Sequence, residues 1–345
     1  MDKQHRIFVT GAAGFIGTKL VQLLLREGFS VRGLYHRTKP DWSSYAELDP
    51  GERLDFVQGD ITDIESLRKA MAGCRYAFHL AGFAQNWARD FSIFTKINIE
   101  GMRNVFQIAE ELGFKRVVWT SSIVTFGPTG SETIADEQSP RITDKYYTEY
   151  EKTKALAEKE ALQWAAKGFP VVIVNPTRVF GPGPQTDGNA LAELINDYIT
   201  GKFFVTFNFG ADIGNFVFVD DVAKGHYLAM LNGKVGERYI LGSENASLGK
   251  FYRYIEETSG IKRRGLPIFT PGAVLISHLF VLWAKLTGGS PRISPGWVRT
   301  FAVDWVYSCD KAKYELGYDP ISLKEAVRRT HDWLKAESTK KSEKS

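Results

Sequence analysis

Ile7-Phe8-Val9-Thr10-Gly11-Ala12-Ala13-Gly14-Phe15-Ile16-Gly17 is the stretch on which the fold turns. An apolar run suited to a buried strand passes into a glycine-rich turn and then into a periodic stretch of helical length. Gly11 lets the backbone turn sharply, Gly14 lets it come close to a diphosphate, and Gly17 lets the helix lie tight against its strand. The N–H groups that open the helix, those of Phe15, Ile16 and Gly17 among them, would receive the negative charge.

The same alternation continues outward. Strand-like runs at Ile7–Thr10, Ser30–Tyr35, Leu54–Gln58, Tyr76–His79, Arg116–Thr120 and Pro170–Asn175 are separated, for the most part, by helical patterns. Those patterns cover Phe15–Glu27, Ile64–Met71, Phe91–Leu112 and Tyr147–Lys167. They predict an α/β fold, a Rossmann-type doubly wound parallel sheet over residues 1–180, with ligands at the carboxyl ends of the strands. After Gly181-Pro182-Gly183-Pro184 the alternation becomes irregular, which predicts a smaller C-terminal substrate lobe over most of 181–335. A strand and a helix within about 215–242 are expected to return to the main sheet, with Asp220–Asn232 a helix capped by an acidic residue and Tyr239–Leu241 a strand. Residues 336–345 read as a solvated, disordered tail. The loops around Lys39–Asp49 and Pro128–Asp144 are long.

Bulk properties narrow the class. With 345 residues, 43% hydrophobic and 24% charged, the chain suits a soluble protein with a sizeable core. Its formal net charge of +4 is mild and dispersed, and does not point to nucleic acid. Cys74 and Cys309 are far apart and lack neighbours at metal-ligand spacing, so neither a disulfide framework nor a metal site is expected. The start Met1-Asp2-Lys3-Gln4-His5-Arg6 has no signal-peptide core, and a cytoplasmic location is expected. The apolar run Ala273–Leu286 is interrupted by Ser277, His278 and Lys285, and reads as a core or lid helix; contact with a membrane surface is the less favoured alternative.

Two further groups fall near strand ends. Thr120-Ser121-Ser122 follows Val117-Val118-Trp119, and Tyr150 and Lys154 share one face of a helical pattern. A phenol is a poor proton donor or acceptor at neutral pH unless its anion is stabilised, and a nearby ammonium is expected to draw its pKa down. A serine hydroxyl can hold a substrate oxygen against that phenol. Hydride transfer to or from a nicotinamide needs such a set and no metal. The same tyrosine–lysine spacing recurs at Tyr35/Lys39, Tyr198/Lys202 and Tyr307/Lys311, but only Tyr150/Lys154 lies on a helix that follows the serine-ended fifth strand.

On these residues the chain resembles the extended short-chain dehydrogenase/reductases of the NAD-dependent epimerase/dehydratase superfamily. Gly59-Asp60-Ile61-Thr62-Asp63, His79-Leu80-Ala81-Gly82, Asn98 with Gly101, and Asn175 to Gly183 add to the match, as do Phe216–Asp221 and Leu316-Gly317-Tyr318. The resemblance implies that Asp60 accepts a hydrogen bond from adenine, with Ile61 beside the ring and Leu80, Ala81 and Gly82 along the adenosine. It implies a catalytic set of Ser122, Tyr150 and Lys154, with Lys154 also on the nicotinamide ribose. Thr120 and the backbone from Pro176 to Val179 are expected near the cofactor, and a homodimer through Phe91–Leu112 and Tyr147–Lys167 is implied. His79 is read as packing.

The end of the second strand, Tyr35-His36-Arg37 with Lys39 close by, carries no acid to repel a 2′-phosphate, which favours NADP, with NAD the alternative. Ile123 and Val124 stand where the family's dehydratases carry an Asp-Glu pair, so dehydration is not expected. Gly214-Asn215 stands where sugar-nucleotide epimerases usually place an arginine on the diphosphate, although Arg299 is a candidate substitute. Aromatic residues fill the late lobe (Phe203, Phe204, Phe207, Phe209, Trp297, Phe301, Trp305), nearer in flavour to dihydroflavonol reductases and 3β-hydroxysteroid dehydrogenases. The expected function is an NADP(H)-preferring oxidoreductase acting on a mostly hydrophobic small molecule. The alternatives are an NAD-dependent sugar or sugar-nucleotide epimerase and a non-catalytic cofactor-binding regulator.

Overall fold

The structure is a computed structural model that describes residues 2–130, 133–184, 187–202, 205–291 and 293–342. In chain order the first half contains β1 (Arg6–Thr10), α1 (Phe15–Arg26), β2 (Val31–Tyr35), β3 (Leu54–Gln58), α2 (Ile64–Met71), β4 (Cys74–His79), α3 (Ser92–Thr95), α4 (Gly101–Glu111), β5 (Arg116–Thr120), α5 (Glu149–Ala166) and β6 (Val171–Pro176). The second half adds β7 (Arg178–Phe180), α6 (Ala190–Thr200), β8 (Val205–Phe207), β9 (Ile213–Phe218), α7 (Val219–Asn232), β10 (Arg238–Leu241), β11 (Glu244–Ser247) and α8 (Leu248–Ser259). It ends with β12 (Leu266–Ile268), α9 (Thr270–Thr287), α10 (Pro295–Phe301), α11 (Asp310–Leu316) and α12 (Leu323–Ser342).

Seven strands form one sheet in the order β3-β2-β1-β4-β5-β6-β10, with every pairing parallel. The order reverses between β1 and β4, which opens a crevice at their carboxyl ends, where the glycine turn sits. On one face α1 and α7 bury Leu20, Val21, Leu24, Val222 and Ala229 against Ile7, Val9, Val31 and Val174. On the other, α2, α4 and α5 bury Leu67, Val105, Phe106 and Ala157 against Phe8, Val117 and Ile173. Cover on both faces explains why Val171–Val174 is an unbroken apolar run rather than an alternating one. Each of the valine, leucine, isoleucine and phenylalanine side chains among them stabilises the fold by roughly 1.5–3 kcal/mol through burial.

The late lobe is built on a three-stranded sheet, β11-β9-β7, and a two-stranded one, β12-β8. Phe180, Ile195, Phe216, Phe251 and Val327 form its core. Ile213–Phe218 therefore pairs within the lobe, and of the 215–242 segment only α7 and β10 return to the main sheet. Phe218, not an acid, caps α7; Asp220 and Asp221 lie in its first turn, where they complement the helix dipole. Phe91–Leu112 is not one regular helix, because a π-helical turn over Lys96–Glu100 separates α3 from α4. A 3₁₀ helix, Trp42–Leu48, occupies the long loop after β2. α12 continues through Ala336–Ser342, since no glycine or proline stops it. Ala273–Leu286 is helical as expected, but it is no core helix: in α9 only Ala273, Ser277 and Ala284 are buried. Phe203 and Phe204 lie outside the described residues, as do the side chains of Phe207 and Phe209.

Candidate active site

β1 hands the chain to the glycine turn. Gly11 has φ +68°, and a Cβ there would stand 2.9 Å from the Ala81 nitrogen. A Cβ on Gly17 would lie 2.0 Å from the Gly11 carbonyl oxygen, so α1 approaches its own strand only because both positions are glycine. No side chain caps α1 and no acid lies in its first turn, which leaves its positive end open to an anion. The Thr10 hydroxyl accepts the Ala81 N–H at 3.0 Å and lies 2.7 Å from His79 Nδ1, tying the ends of β1 and β4 together. Burial, and then the charge of Lys154, lowers the His79 pKa to about 3, so its ring is a neutral structural group.

At the ends of β2 and β3, Asp60 Oδ1 accepts the Thr62 N–H at 2.8 Å and the Thr62 hydroxyl at 2.9 Å. Oδ2 lies 3.5 Å from His36 Nε2. Burial pushes the Asp60 pKa up, but the two Thr62 bonds and the charges of His36 and Lys96 outweigh it and hold the carboxyl below its ordinary range. Ile61 fills the space left by Gly101, where a Cβ would come within 2.6 Å of it. The fold thus brings His36 to Asp60, while Arg37 stays exposed at the strand end.

α5 sets the third group. Thr148 caps the helix by accepting the Glu151 N–H at 3.1 Å, and Glu151 Oε2 accepts the Tyr147 N–H at 2.6 Å. This cap places Tyr150 in the first turn and Lys154 one turn further on. Glu151 is buried against Arg141, which also donates to the carbonyls of Val124 (3.0 Å) and Thr143 (2.7 Å). Arg141 therefore joins the segment after Ser122 to the segment before Tyr150. Asn98, in the π-helical turn, receives the Phe83 N–H at 2.8 Å and donates to the Thr153 hydroxyl at 3.1 Å, fixing α5 from the other side.

The two serines after β5 have different fates. Ser121 donates to the buried Glu158 carboxylate at 2.5 Å. Glu158 also receives Thr125 (3.1 Å), Asn175 (2.6 Å) and Arg238 (3.1 Å). Ser122 makes only a long 3.4 Å contact with the Val124 N–H and is the hydroxyl that meets Tyr150. Burial raises the Tyr150 pKa, and the Ser122 hydrogen bond offsets only part of that. Lys154 Nζ donates to the Thr120 carbonyl at 2.7 Å and lies 4.9 Å from the Trp119 ring centroid. Burial lowers its pKa to about 8, against the opposing charge of Glu158. The phenol is thus not drawn down as the Tyr150/Lys154 spacing suggests: the ammonium is spent on Thr120, and desolvation dominates at Tyr150.

Ser122 opens onto a cavity of about 120 Å³ lined by Val124, Thr177, Arg178, Phe301 and Trp305 among others. The Thr177 hydroxyl is buried and has no hydrogen-bond partner. The Arg178 guanidinium lies 4.5 Å from the Phe301 ring centroid, and burial brings its pKa down to about 10 against the charges of Asp212 and Asp304. It occupies the space that Gly214 leaves free. A guanidinium therefore does stand beside Gly214-Asn215, supplied by Arg178, whereas Arg299 is exposed. Sequence reading assigned only backbone to this part of the chain, because nothing local to Arg178 announces Gly214. A second cavity, of about 350 Å³, lies between Trp87, Phe91, Tyr146, Lys152 and Ser294–Gly296. Among the described residues no His, Cys, Asp and Glu cluster could hold a metal.

A family model described as the NAD dependent epimerase/dehydratase family matches residues 7–242. The chain belongs to that family. Within the epimerase/dehydratase family it is an NAD(P)-dependent oxidoreductase of the extended short-chain dehydrogenase/reductase type. A Synechocystis sp. protein carrying the name dihydroflavonol 4-reductase is 34% identical over 95% of this chain and 94% of its own. Sterol demethylase protein B of Methylococcus capsulatus is 34% identical over 75% of this chain and 76% of its own. Cinnamoyl-CoA reductase 1 of Petunia hybrida is 35% identical over 68% and 71%. Among solved structures, gox2253 superposes with a TM-score of 0.79 at 31% identity, covering 96% of this chain and 98% of its own. A Thermotoga maritima UDP-glucose 4-epimerase shares the fold (TM-score 0.77, 21% identity, 96% and 99% covered).

Proposed function

We propose that this family member interconverts a ketone or aldehyde and the corresponding alcohol on a mostly hydrophobic small molecule, with NADP(H) preferred. One observation carries the reading: Ser122 opens onto a cavity whose wall includes Val124, Phe301 and Trp305, and its hydroxyl meets Tyr150, with Lys154 one helical turn further along α5. The names of the cinnamoyl-CoA reductase and sterol demethylase relatives agree with a substrate of this kind.

The residues present fit a dinucleotide. The cradle at Gly11 and Gly17 admits no side chain, and the start of α1 is uncapped. Asp60 and Ile61 would hold the adenine, Leu80–Gly82 the adenosine side, and Lys154 the nicotinamide ribose. Thr120 and the Pro176–Val179 segment lie along the same path, where the unpartnered Thr177 hydroxyl is ready for a polar group. When bound, the nicotinamide supplies or accepts a hydride. Ser122 then orients the substrate oxygen, and Tyr150 gives that oxygen a proton in reduction and takes it back in oxidation. The preference for NADP rests on Arg37 and Lys39 at an acid-free β2 end.

Arg178 favours one other reading, epimerisation of a sugar nucleotide, because a guanidinium suits a diphosphate. Fluorescence titration with NADPH and NADH, followed by an aromatic and alicyclic carbonyl panel, separates the two. Tighter NADPH binding and net NADPH oxidation are expected. Equal affinities would remove the NADP assignment, and substrate turnover without net redox change would replace the reductase reading with the epimerase one.

A further inference from the structure

α9 is apolar on two opposite sides. Ala273, Ser277 and Ala284 recur at i, i+4 and i+11 and face the protein, where Ala273 packs with Val298 of α10. Leu275, Leu279, Leu282 and Leu286 recur at i, i+4, i+7 and i+11 on the far side, all more than half exposed. Ile276 and Trp283 widen that stripe, Phe280 lies on the flank beside Ser277 and Ala284, and Leu266 and Phe269 extend the exposed apolar surface along β12 and the turn into α9. These residues are nine of the eighteen exposed large hydrophobic side chains among the described residues, seven of them on α9 and two on the segment that leads into it. Single exposed leucines are ordinary; a continuous patch of this kind marks an interaction surface.

The charge around the patch selects its partner. From Thr258 to Val303 the sequence has no Asp or Glu, yet it carries Lys262, Arg263, Arg264, Lys285, Arg292 and Arg299. Arg263, Arg264 and Lys285 are exposed, on either side of the apolar stripe in sequence. An apolar face with basic residues and an exposed tryptophan matches the boundary of an anionic bilayer, where headgroups meet the cations and acyl chains take the leucines. A protein partner would have to offer a large apolar groove rimmed with acids.

We propose that β12 and α9 form a docking surface for an anionic lipid bilayer, with α9 lying in the interfacial plane. α9 is long and apolar enough to cross a membrane, but Ala273 and Val274 pack on Val298 of α10 and Ser277 and Ala284 are buried in the protein, so it lies on the bilayer rather than through it. The surface adjoins the candidate active site. α10 supplies Thr300 and Phe301 to the smaller cavity and, with Ser294 before it, Pro295 and Gly296 to the larger one. Bilayer docking thus sets both cavities beside the phase in which an apolar substrate is concentrated. That functional meaning rests on the reductase reading, while the docking itself does not.

The test is co-sedimentation of the full chain with vesicles of phosphatidylcholine alone and of phosphatidylcholine mixed with phosphatidylglycerol. The wild type is expected to pellet with the anionic vesicles and much less with the neutral ones. A variant with Leu275→Ser, Leu282→Ser and Leu286→Ser is expected to lose at least about tenfold in partitioning, with unchanged Tm and elution volume. Arg264→Gln with Lys285→Gln is expected to weaken anionic-vesicle binding by about fivefold per charge. The proposal is overturned if the wild type stays in the supernatant with both vesicle types. It is equally overturned if the serine variant converts a dimer to a monomer and neither form pellets, which would assign the face to a second copy. Neither readout involves turnover, so failure of the reductase reading leaves the result intact.

Discussion

Ser121 Oγ lies 2.5 Å from a Glu158 carboxylate oxygen, and this contact separates the duties of two adjacent serines. Ser121 is locked into a buried polar knot, which leaves Ser122 as the hydroxyl that meets Tyr150. Ser121→Ala is expected to cost about 1–3 kcal/mol in stability, because it strips a donor from a buried carboxylate. Ser122→Ala is expected to change stability by less than about 1 kcal/mol and to lower kcat roughly a hundredfold or more. Chemical denaturation of both variants beside their kcat values checks the division; a stability loss confined to the Ser122 variant would reverse the assignment.

Tyr150→Phe is expected to lower turnover by several orders of magnitude while NADPH still quenches protein fluorescence and Tm holds. Because burial keeps the Tyr150 pKa above its ordinary value, the phenol of the cofactor-free protein stays protonated across the neutral range. Carbonyl reduction, which needs the protonated form, is expected to hold its rate from pH 6 to pH 8. Wild-type turnover in Tyr150→Phe would remove the tyrosine from the mechanism.

Lys154 has a folded-state pKa of about 8 against 10.5 for a free lysine, so the folded protein binds fewer protons than the unfolded chain between those values. Stability from this group therefore rises as pH climbs from about 8 to 10.5, and its full destabilising effect is felt below 8. Relative to Lys154→Met, the wild type is expected to gain about 1–3 kcal/mol between pH 7 and pH 10. Urea unfolding of both proteins at the two pH values measures it, and a difference independent of pH would show that the ammonium is not desolvated.

Gly214→Ala would drive a methyl group toward an Arg178 guanidinium nitrogen, to 2.3 Å from it. It is expected to raise KM roughly tenfold with a smaller effect on kcat, and Arg178→Leu is expected to do the same. Steady-state kinetics on one carbonyl substrate suffices. A KM left unchanged by both substitutions would take Arg178 out of substrate binding.

Arg37→Glu is expected to weaken NADPH by about tenfold to a hundredfold through loss of a charge-assisted contact, and to leave NADH within about twofold. Parallel fluorescence titrations decide it. Equal losses for both cofactors would mean that Arg37 acts on something other than the 2′-phosphate.

The parts of this protein legible in its sequence are those written locally. Residues 54–58, 64–71 and 116–120 form elements with the bounds that their patterns predict, because burial on one or both sheet faces leaves a period in the chain itself. The glycine turn is equally local. Glu158, Arg141 and Arg178 were not legible: each acquires its role from partners far along the chain, such as Arg238 for Glu158 and Gly214 for Arg178. The far side of α9 escaped for a related reason, since an apolar stripe looks the same whether protein or another phase covers it. Phe218 displaced the acidic cap expected for α7 because its backbone is already committed to β9.

Glu158 also links the early part of the chain to the late part. Its partners come from the segment after β5, from β6 and from β10, so one carboxylate on α5 ties the serine end of the site to the edge strand of the main sheet. The Ile240 N–H donates to Glu137 at 2.8 Å, which closes the same corner from the other side. A chain cut off before β10 contains the dinucleotide cradle and the Tyr150 helix but leaves the Glu158 carboxylate without the guanidinium that faces it.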